Sequence, residues 1–327
     1  MAEALIDPTE VRFYSGSSHH QLAAGIAVHL GVPLDETKIS RFSNDNLYIQ
    51  LGASVRSRNV FIVQSLSPPV NDHLVELLMM LDIARAASAT EIHAIIPYFS
   101  FARSDKKDAP RISITARLVA DLIETAGATH FMTMMMHSPQ VHGFFGIPTD
   151  PLSSRPVLLR YFQKQDLDST IVVAADMGQA KSAARFARDL GLPLAAGNKE
   201  RISDTEVRYS GIVGQQVRGC KQALLYDDEI ATGGTIIEIS QLLLEQGVEE
   251  IWVACSHGVF VRDGLEKLAA MPQITKIVTT DTVPIPPEKR PPKLTVLSVA
   301  RIFGEAIRKN YLRQSIGDLF VYGENEA

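Results

Sequence analysis

Cysteine is scarce in this chain of 327 residues, which contains only Cys220 and Cys255. Two cysteines this far apart in sequence provide neither a disulfide framework nor the ligand spacing of a zinc site. A protein without disulfides is suited to a reducing compartment, so we expect a cytoplasmic location.

Long hydrophobic runs are also missing. No apolar run approaches the ~18 residues that a membrane-spanning helix needs. The first residues, Met1–Asp7, lack the basic stretch and apolar core of a signal peptide. We therefore expect no membrane partner.

The chain has no excess of positive charge. Its 32 Lys and Arg residues are outnumbered by 37 Asp and Glu residues, giving a formal net charge of -5. Nucleic-acid-binding domains usually carry a basic patch or tail, so we expect no nucleic-acid partner. The chain also lacks the GxxxxGK[ST], GxGxxG, HExxH and GxSxG motifs. If ATP binds, it does so without a P-loop.

Hydrophobic residues make up 46% of the chain and charged residues 21%, as in a globular protein with a large core. Short β-branched runs alternate with helical patterns, which predicts parallel sheets covered by helices. Predicted strands are Val60–Gln64, Glu91–Pro97, Phe131–Met135, Thr170–Ala174, Gln222–Tyr226, Ile251–Ser256 and Ile274–Thr279. Predicted helices are His20–Leu30, His73–Ala86, Thr115–Thr125, Gln179–Leu190, Ile236–Gln246, Val261–Ala270 and Val299–Leu312.

The chain length predicts roughly two domains. Residues 17–31 and 90–98 resemble residues 179–191 and 249–257, which indicates two βα halves of similar plan. Prolines 148, 151 and 156 mark a boundary between them. We expect an N-terminal domain over residues 1–154, a C-terminal domain over 155–298, and a C-terminal helix and tail over 299–327 that pack back on the first half.

The most informative segment is Leu224–Thr235, which reads LLYDDEIATGGT. An apolar strand delivers the carboxylates Asp227 and Asp228, and a turn of small residues then opens a helix. The backbone N–H groups of such a turn and the helix dipole form a cradle for an anion such as phosphate. The carboxylates suit sugar hydroxyls or a metal. The alternative is an ordinary tight turn. The turn residues are Ala231, Thr232, Gly233, Gly234 and Thr235.

A cluster of aromatic and basic residues follows a strand end at Pro97–Lys107, PYFSFARSDKK. Arginine binds phosphate oxygens in pairs and lysine adds a point charge. We interpret the cluster as a polyphosphate site at the mouth of an α/β sheet. The alternative is a solvated basic turn.

Two further strand ends carry candidate ligands. His137 follows the strand Phe131–Met135 and either contacts a metal or phosphate or is purely structural. Asp176 follows the strand Thr170–Ala174, where a carboxylate suits magnesium. It can also cap the helix that begins near Gln179.

Lys199, Glu200 and Arg201 lie in the polar segment Gly197–Arg208. We predict a mobile loop that closes over substrate. The alternative is an ordinary surface loop.

These segments together resemble the ribose-phosphate pyrophosphokinase (phosphoribosyl pyrophosphate, PRPP, synthase) family. The resemblance runs in order through nearly the whole chain. It rests on Arg41–Asn46 (RFSNDN), Gln64–Ala89, Pro97–Lys107, His137–Pro148, Ala174–Gly178, Asn198–Arg201, the DDEIATGGT segment, Ser256–Phe260 and Thr295–Ala300.

The resemblance implies an α/β fold of two tandem phosphoribosyltransferase-type, Rossmann-like domains. It also implies ATP, ribose 5-phosphate and Mg²⁺, with diphosphate transferred to the sugar's anomeric hydroxyl to give PRPP and AMP. A homo-oligomer, either a dimer or a hexamer built from dimers, is implied as well.

Site residues are carried over from the same resemblance. Lys199 and Arg201 would be catalytic, and Arg201 would also contact ribose 5-phosphate with Asp227, Asp228 and the turn Ala231–Thr235. His137 and Asp176 would hold magnesium. The residues that would bind ATP are Phe42, Asn44, Asp45, Asn46, Arg103, Ser104 and His137, and in the family the 44–46 segment comes from a neighbouring subunit.

The chain departs from the family pattern at several positions. Asn44 and Asn46 stand where the family usually has acidic residues, Ser104 where it has Gln, and Ala231 where it has Asp. Two readings remain: an active synthase with altered nucleotide preference, or a catalytically weak regulatory subunit of an active synthase. A base-specific phosphoribosyltransferase is a third reading, favoured only by Ala231.

Overall fold

The computed structural model describes residues 6–201, 207–215 and 217–320, and for residues 199–201 and 207–210 it describes the backbone alone. The chain divides into two compact units. Unit 1 comprises residues 1–154, 282–284 and 298–327, and unit 2 comprises residues 155–281 and 285–297.

Unit 1 contains a five-stranded sheet in the order β1-β4-β5-β6-β7, with every neighbouring pair parallel. A separate antiparallel hairpin joins β2 and β3. The elements in chain order are β1 Val11–Ser15, α1 His20–Leu30, β2 Thr37–Arg41, β3 Leu47–Leu51, β4 Asn59–Val63, α2 Val70–Ala86, β5 Glu91–Ile96, α3 Thr115–Ala126, β6 His130–Met134 and β7 Thr149–Leu152.

Unit 2 contains a seven-stranded sheet in the order β10-β9-β8-β11-β12-β13-β14. Among the strand pairs that the structure describes in this sheet, only β9–β10 is antiparallel. Its elements are α4 Arg155–Phe162, β8 Thr170–Ala174, α5 Ala180–Leu190, β9 Leu194–Arg201, β10 Val207–Gly214, β11 Gln222–Ile230, α6 Gly234–Glu245, β12 Glu250–Gly258, α7 Gly264–Ala270, β13 Ile274–Thr280 and β14 Leu294–Leu297.

The central strand β11 shows why these sheets are helix-covered. Ala223 and Leu225 pack with one buried cluster that includes α6, whereas Leu224 and Tyr226 pack with a second cluster that includes α4 and α5. Both faces are therefore buried, and the strand is a continuous apolar run rather than an alternating one. This arrangement confirms the predicted α/β fold class.

The last helix, α8 (Ala300–Tyr311), belongs to unit 1 and packs along α1. The helices approach closely at two glycines. A Cβ added to Gly25 would come within 3.1 Å of the Ala300 Cβ, and Gly304 lies against the His29 ring. Small residues allow two helix backbones to approach this closely.

Two sequence predictions were wrong in ways that affect the site. The predicted loop Gly197–Arg208 overlaps β9 and β10, which pair in antiparallel fashion, and residues 202–206 of that loop lie outside the described residues. The strand predicted to end at Tyr226 continues to Ile230, so the acidic pair lies within β11 rather than just beyond its end. Within the described ranges, none of the helices combines the length and apolarity needed to cross a membrane.

Candidate active site

Three carboxylates lie along the same edge of the unit 2 sheet. Strands β8 and β11 are parallel neighbours, paired up to Ala174 and Tyr226. Asp176 lies just beyond this point on one strand, and Asp227 and Asp228 lie just beyond it on the other. Since the carboxyl ends of parallel strands share an edge, the topology brings Asp176 close to the acidic pair.

The electrostatics of Asp227 reflect this crowding. Burial raises the pKa of Asp227 well above its usual value, and the neighbouring charges of Asp228 and Asp176 raise it further. The backbone amide of Asp228 donates to Asp227 Oδ1 at 2.8 Å and acts in the opposite direction. Hydroxyl donors or a cation at this edge would stabilise the ionised carboxylates.

The donor set at this edge fits a divalent cation that keeps several waters. Asp176 Oδ1 accepts a hydrogen bond from the Gln179 amide at 3.0 Å, so it also supports the start of α5. No ready-made cluster of three or more ligating side chains occurs in the described part of the chain. Mg²⁺ commonly binds one or two carboxylates and takes its other ligands from water and substrate.

The turn after β11 has the geometry of an anion cradle. Gly233 has φ 75° and precedes the first residue of α6, Gly234. The first N–H groups of an α-helix have no partners within the helix. No described side chain caps this end of α6, so these N–H groups are available to a ligand. Thr232 and Gly234 are exposed. An exposed, uncapped helix N-terminus favours a phosphate group.

A second segment holds this turn in place. The amides of Val259 and Phe260 donate to the Ile230 carbonyl at 3.0 and 3.1 Å, and the Val261 amide donates to the Ala231 carbonyl at 2.9 Å. Sequence reasoning gave residues 259–264 no role. The only sequence signal was the SHGVF stretch, Ser256–Phe260, whose last two residues make part of this contact.

The two predicted catalytic residues can be placed only by their backbone. Lys199 lies in β9 opposite Tyr209, and Arg201 lies opposite Val207. Their side chains lie outside the described part of the structure, so their catalytic role stays a prediction.

In unit 1, Arg103 and Ser104 line a cavity of about 350 Å³ together with Lys106. Arg103 is exposed. The Ser104 hydroxyl donates to the Ser113 carbonyl at 3.3 Å and accepts from the Thr115 amide at the same distance, so it also supports the start of α3. The cavity has the size and the cations expected of a polyphosphate site.

The residues predicted to read adenine lie at the tip of the β2–β3 hairpin. Phe42, Asn44, Asp45 and Asn46 are all exposed, and the Phe42 ring meets Tyr48 edge-on at 5.7 Å. The Asp45 carboxylate is ion-paired with Arg41 at 3.0 Å. Contacts within the chain therefore hold the hairpin tip in place, and Phe42 remains 57% exposed.

His137 follows β6 and is exposed. It lies in unit 1 and Asp176 lies in unit 2. Their joint role as metal ligands stays a prediction.

The fold and the DDEIATGGT segment are typical of a phosphoribosyl-binding α/β protein. A family model described as the N-terminal domain of ribose phosphate pyrophosphokinase matches residues 11–127. A second family model, described as the phosphoribosyl synthetase-associated domain, matches residues 210–321.

Named relatives match over nearly their full length. A ribose-phosphate pyrophosphokinase of Deinococcus radiodurans is 44% identical, over 94% of this chain and 97% of its own. A Streptomyces coelicolor protein provisionally given the same name is 47% identical, over 95% and 98%. The crystal structure of phosphoribosylpyrophosphate synthetase from Mycobacterium smegmatis is 35% identical, with a TM-score of 0.87 over 93% of this chain and 99% of that chain.

The chain therefore belongs to the ribose-phosphate pyrophosphokinase family. This finding confirms the family, fold class and enzyme class predicted from the sequence.

Proposed function

We propose that the chain is a ribose-phosphate diphosphokinase that transfers diphosphate from ATP to the anomeric hydroxyl of ribose 5-phosphate, releasing PRPP and AMP. The observation that carries this proposal is the order of groups on β11. Two carboxylates at a sheet edge are followed by the uncapped N-terminus of α6. This order suits a molecule with adjacent hydroxyls at one end and a phosphate at the other.

In this proposal, the turn Ala231–Thr235 binds the 5-phosphate through backbone N–H groups. Asp227 and Asp228 accept hydrogen bonds from the ribose hydroxyls, which orient the anomeric oxygen for attack on the β-phosphorus. Such transfers need little covalent help, so positioning and charge stabilisation supply most of the rate enhancement.

Bound Mg²⁺ would neutralise charge on the diphosphate group. The chemistry of the acidic edge supports Asp176 as a ligand, and His137 is the second proposed ligand. Lys199 and Arg201 would add positive charge as negative charge develops on the transferred group, and Arg201 would also contact the sugar phosphate.

Arg103 and Ser104 would contact the ATP phosphates within the cavity that they line. Phe42 would stack on adenine, with residues 44–46 reading its edge. The exposure of the hairpin tip supports its use by a second copy of the chain. We therefore propose a homo-oligomer, either a dimer or a hexamer built from dimers, and a cytoplasmic location.

The test is to incubate the purified chain with ATP, ribose 5-phosphate and Mg²⁺ and to measure AMP and PRPP. We expect the native chain to form AMP and PRPP in equal amounts. The Glu249→Gln variant, which changes an exposed carboxylate of the same unit, should form as much of each product as the native chain. We expect product from Asp228→Asn to fall at least tenfold.

Absence of product from the native chain would overturn the proposal. If the chain instead changed the turnover of an active synthase mixed with it, the regulatory-subunit reading suggested by Asn44, Asn46 and Ala231 would replace it.

A further inference from the structure

A cavity of about 270 Å³ lies between the β2–β3 hairpin and the first turns of α2 in unit 1. We call it the hairpin cavity. The side chains that matter for its chemistry are Ile39, Arg41 and Leu47 of the hairpin and Asp72, His73 and Glu76 of α2. The proposed reaction assigns no role to these residues.

His73 presents an unused hydrogen-bond acceptor to the hairpin cavity. The residue is only 8% exposed, and its Nδ1 lies 2.7 Å from the Ser67 carbonyl oxygen. A carbonyl oxygen can only accept, so Nδ1 carries the proton, and Nε2 of the neutral ring keeps a lone pair. Within the described part of the chain, Nε2 has no hydrogen-bond partner. Since His73 lines the cavity, this lone pair is available to a ligand that donates.

Glu76 is a carboxylate at the inner end of the hairpin cavity and is 3% exposed. Its Oε2 accepts from the Ser17 hydroxyl at 2.7 Å, and its Oε1 accepts from the Gln64 side-chain amide at 2.8 Å and from the Ser17 backbone amide. All of these donors are neutral, and no cation pairs with Glu76 in the part of the chain that the structure describes. Buried charges are usually paired with an opposite charge, so a cationic ligand would complete this site.

Asp72 lies at the rim of the same cavity, where its side chain is 51% exposed. It forms an ion pair with Arg41 at 2.9 Å, and Arg41 forms a second ion pair with Asp45 at 3.0 Å. Among the described residues that line the cavity, Arg41 is the only cation. Its one positive charge is thus shared by two carboxylates, and Glu76 adds a third. The cavity and its rim therefore keep a net negative charge.

The remaining walls of the cavity distinguish between a metal ion and an organic cation. They add apolar surface from Ile39, Leu47 and Pro69, which a hydrated metal ion cannot use. The described residues also contain no group of three or more ligating side chains arranged for a metal. An alkylammonium ligand uses every wall, because its N–H groups donate to the carboxylates and to a histidine nitrogen while its methylene groups cover the apolar side chains.

We propose that the hairpin cavity binds a short aliphatic diamine, with one ammonium group between Glu76 and His73 and the other beside Asp72. Asp72 and Glu76 are four positions apart on α2, which places their Cβ atoms ~6 Å apart on one face of the helix. The two ammonium groups of an extended short diamine have a comparable spacing. The bound diamine contacts both α2 and the hairpin and holds them together. The proposal does not depend on the proposed enzymatic activity.

The first test is calorimetric titration of the native chain with putrescine at constant ionic strength, because salt screens exposed charges. We expect saturable binding with a dissociation constant below about 1 mM. The uncharged diol of the same chain length serves as the chemical control and should not bind. Absence of saturable putrescine binding, or equal binding of putrescine and the diol, would overturn the proposal.

Two variants locate the site. Glu76→Gln keeps the shape of the side chain and its capacity for hydrogen bonds but removes the charge, so putrescine affinity should fall at least about tenfold. Asp72→Asn changes an exposed ion pair at the rim, so affinity should fall about threefold. The control is Asp82→Asn, which removes an exposed carboxylate of the same helix that is paired with Arg85, and it should bind as the native chain does. Native affinity in Asp72→Asn and in folded Glu76→Gln would place the site elsewhere and overturn the proposal.

Limited digestion with trypsin tests whether the diamine holds the hairpin. Trypsin cleaves after lysine and arginine, and Lys38 and Arg41 are exposed residues of β2. Putrescine at ten times its dissociation constant should slow cleavage after both residues about tenfold, because the hairpin must release the ligand before it opens. Cleavage after Lys221, an exposed lysine of unit 2, is the internal control and should not change. Equal cleavage rates at Lys38 and Arg41 with and without putrescine would overturn the proposed contact between ligand and hairpin.

Discussion

Gly264 lies directly against the carbonyl oxygen of Ala231: a Cβ placed on Gly264 would come within 2.8 Å of that oxygen and 3.0 Å of the Thr232 carbonyl carbon. Real Cβ atoms do not approach backbone atoms so closely, so any side chain at position 264 must displace the anion-binding turn. The start of α7 therefore determines where this turn lies.

This contact predicts the effect of Gly264→Ala. Displacement of the turn should weaken phosphate binding and raise KM for ribose 5-phosphate about tenfold, equivalent to ~1.4 kcal/mol, with a smaller effect on KM for ATP. Steady-state kinetics measure both. The control is Gly143→Ala, because a Cβ there meets nothing within 4 Å. Equal changes in both KM values would contradict this account.

The proposed role of Lys199 predicts that Lys199→Ala lowers kcat at least a hundredfold, a loss of ~2.7 kcal/mol in transition-state stabilisation. ATP binding and the fold should be largely retained. The measurement is PRPP formation together with ATP titration, and Lys221→Ala, an exposed lysine of the same unit, is the control. Unchanged turnover would remove Lys199 from the catalytic machinery.

The hairpin tip predicts nucleotide preference. Replacing both Asn44→Asp and Asn46→Glu should raise the ATP-to-GTP ratio of kcat/KM about tenfold, or ~1.4 kcal/mol, because carboxylates accept hydrogen bonds from an adenine amino group more strongly than amides do. Asn71→Asp, at another exposed asparagine of unit 1, should leave the ratio unchanged. Equal ratios in all three proteins would refute the adenine-reading role.

The raised pKa of Asp227 predicts a trade-off between stability and activity. Asp227→Asn should abolish activity and stabilise the chain at neutral pH by about 0.5–2 kcal/mol, because it removes a half-buried charge beside two others. The native carboxyl group holds its proton to a higher pH than the unfolded one. Its stabilising contribution is therefore complete below the ordinary Asp pKa and lost as the pH rises through the raised value.

The measurement for Asp227→Asn is the unfolding free energy over a pH series, with Asp168→Asn at an exposed carboxylate as the control. The gap between the variant and the native chain should close toward acid pH. If the difference in unfolding free energy stayed constant or widened toward acid pH, the carboxyl group of Asp227 would not have a raised pKa.

The sequence predicted the apolar strands and the amphipathic helices well. Burial on both faces of a strand produces continuous apolar runs, such as LLY in β11, and these can be recognised without knowing which strands pair. It failed where tertiary pairing overrides local polarity. Asp227, Asp228 and Glu229 signal the end of a strand, but pairing with β12 extends β11 through them. The β9–β10 hairpin was likewise missed, because its charged residues resemble a loop.

The candidate site was predictable in its parts but not in its contacts. Motif order identified Asp176, Asp227 and the glycine turn one by one. Their mutual electrostatic influence depends on β8 and β11 being sheet neighbours, which sequence order does not give. The support of the turn by residues 259–264 depends on backbone hydrogen bonds, and these leave no side-chain signature.

The contact between α1 and α8 has a consequence for biosynthesis. As the ribosome releases the chain from its N-terminus, α1 emerges early, but its neighbour α8 emerges only near the end. The unit that begins first is thus completed last, after every residue of unit 2 has been made. Until then part of α1 stays uncovered, so nascent chains that stall before residue 300 should be targets for chaperones.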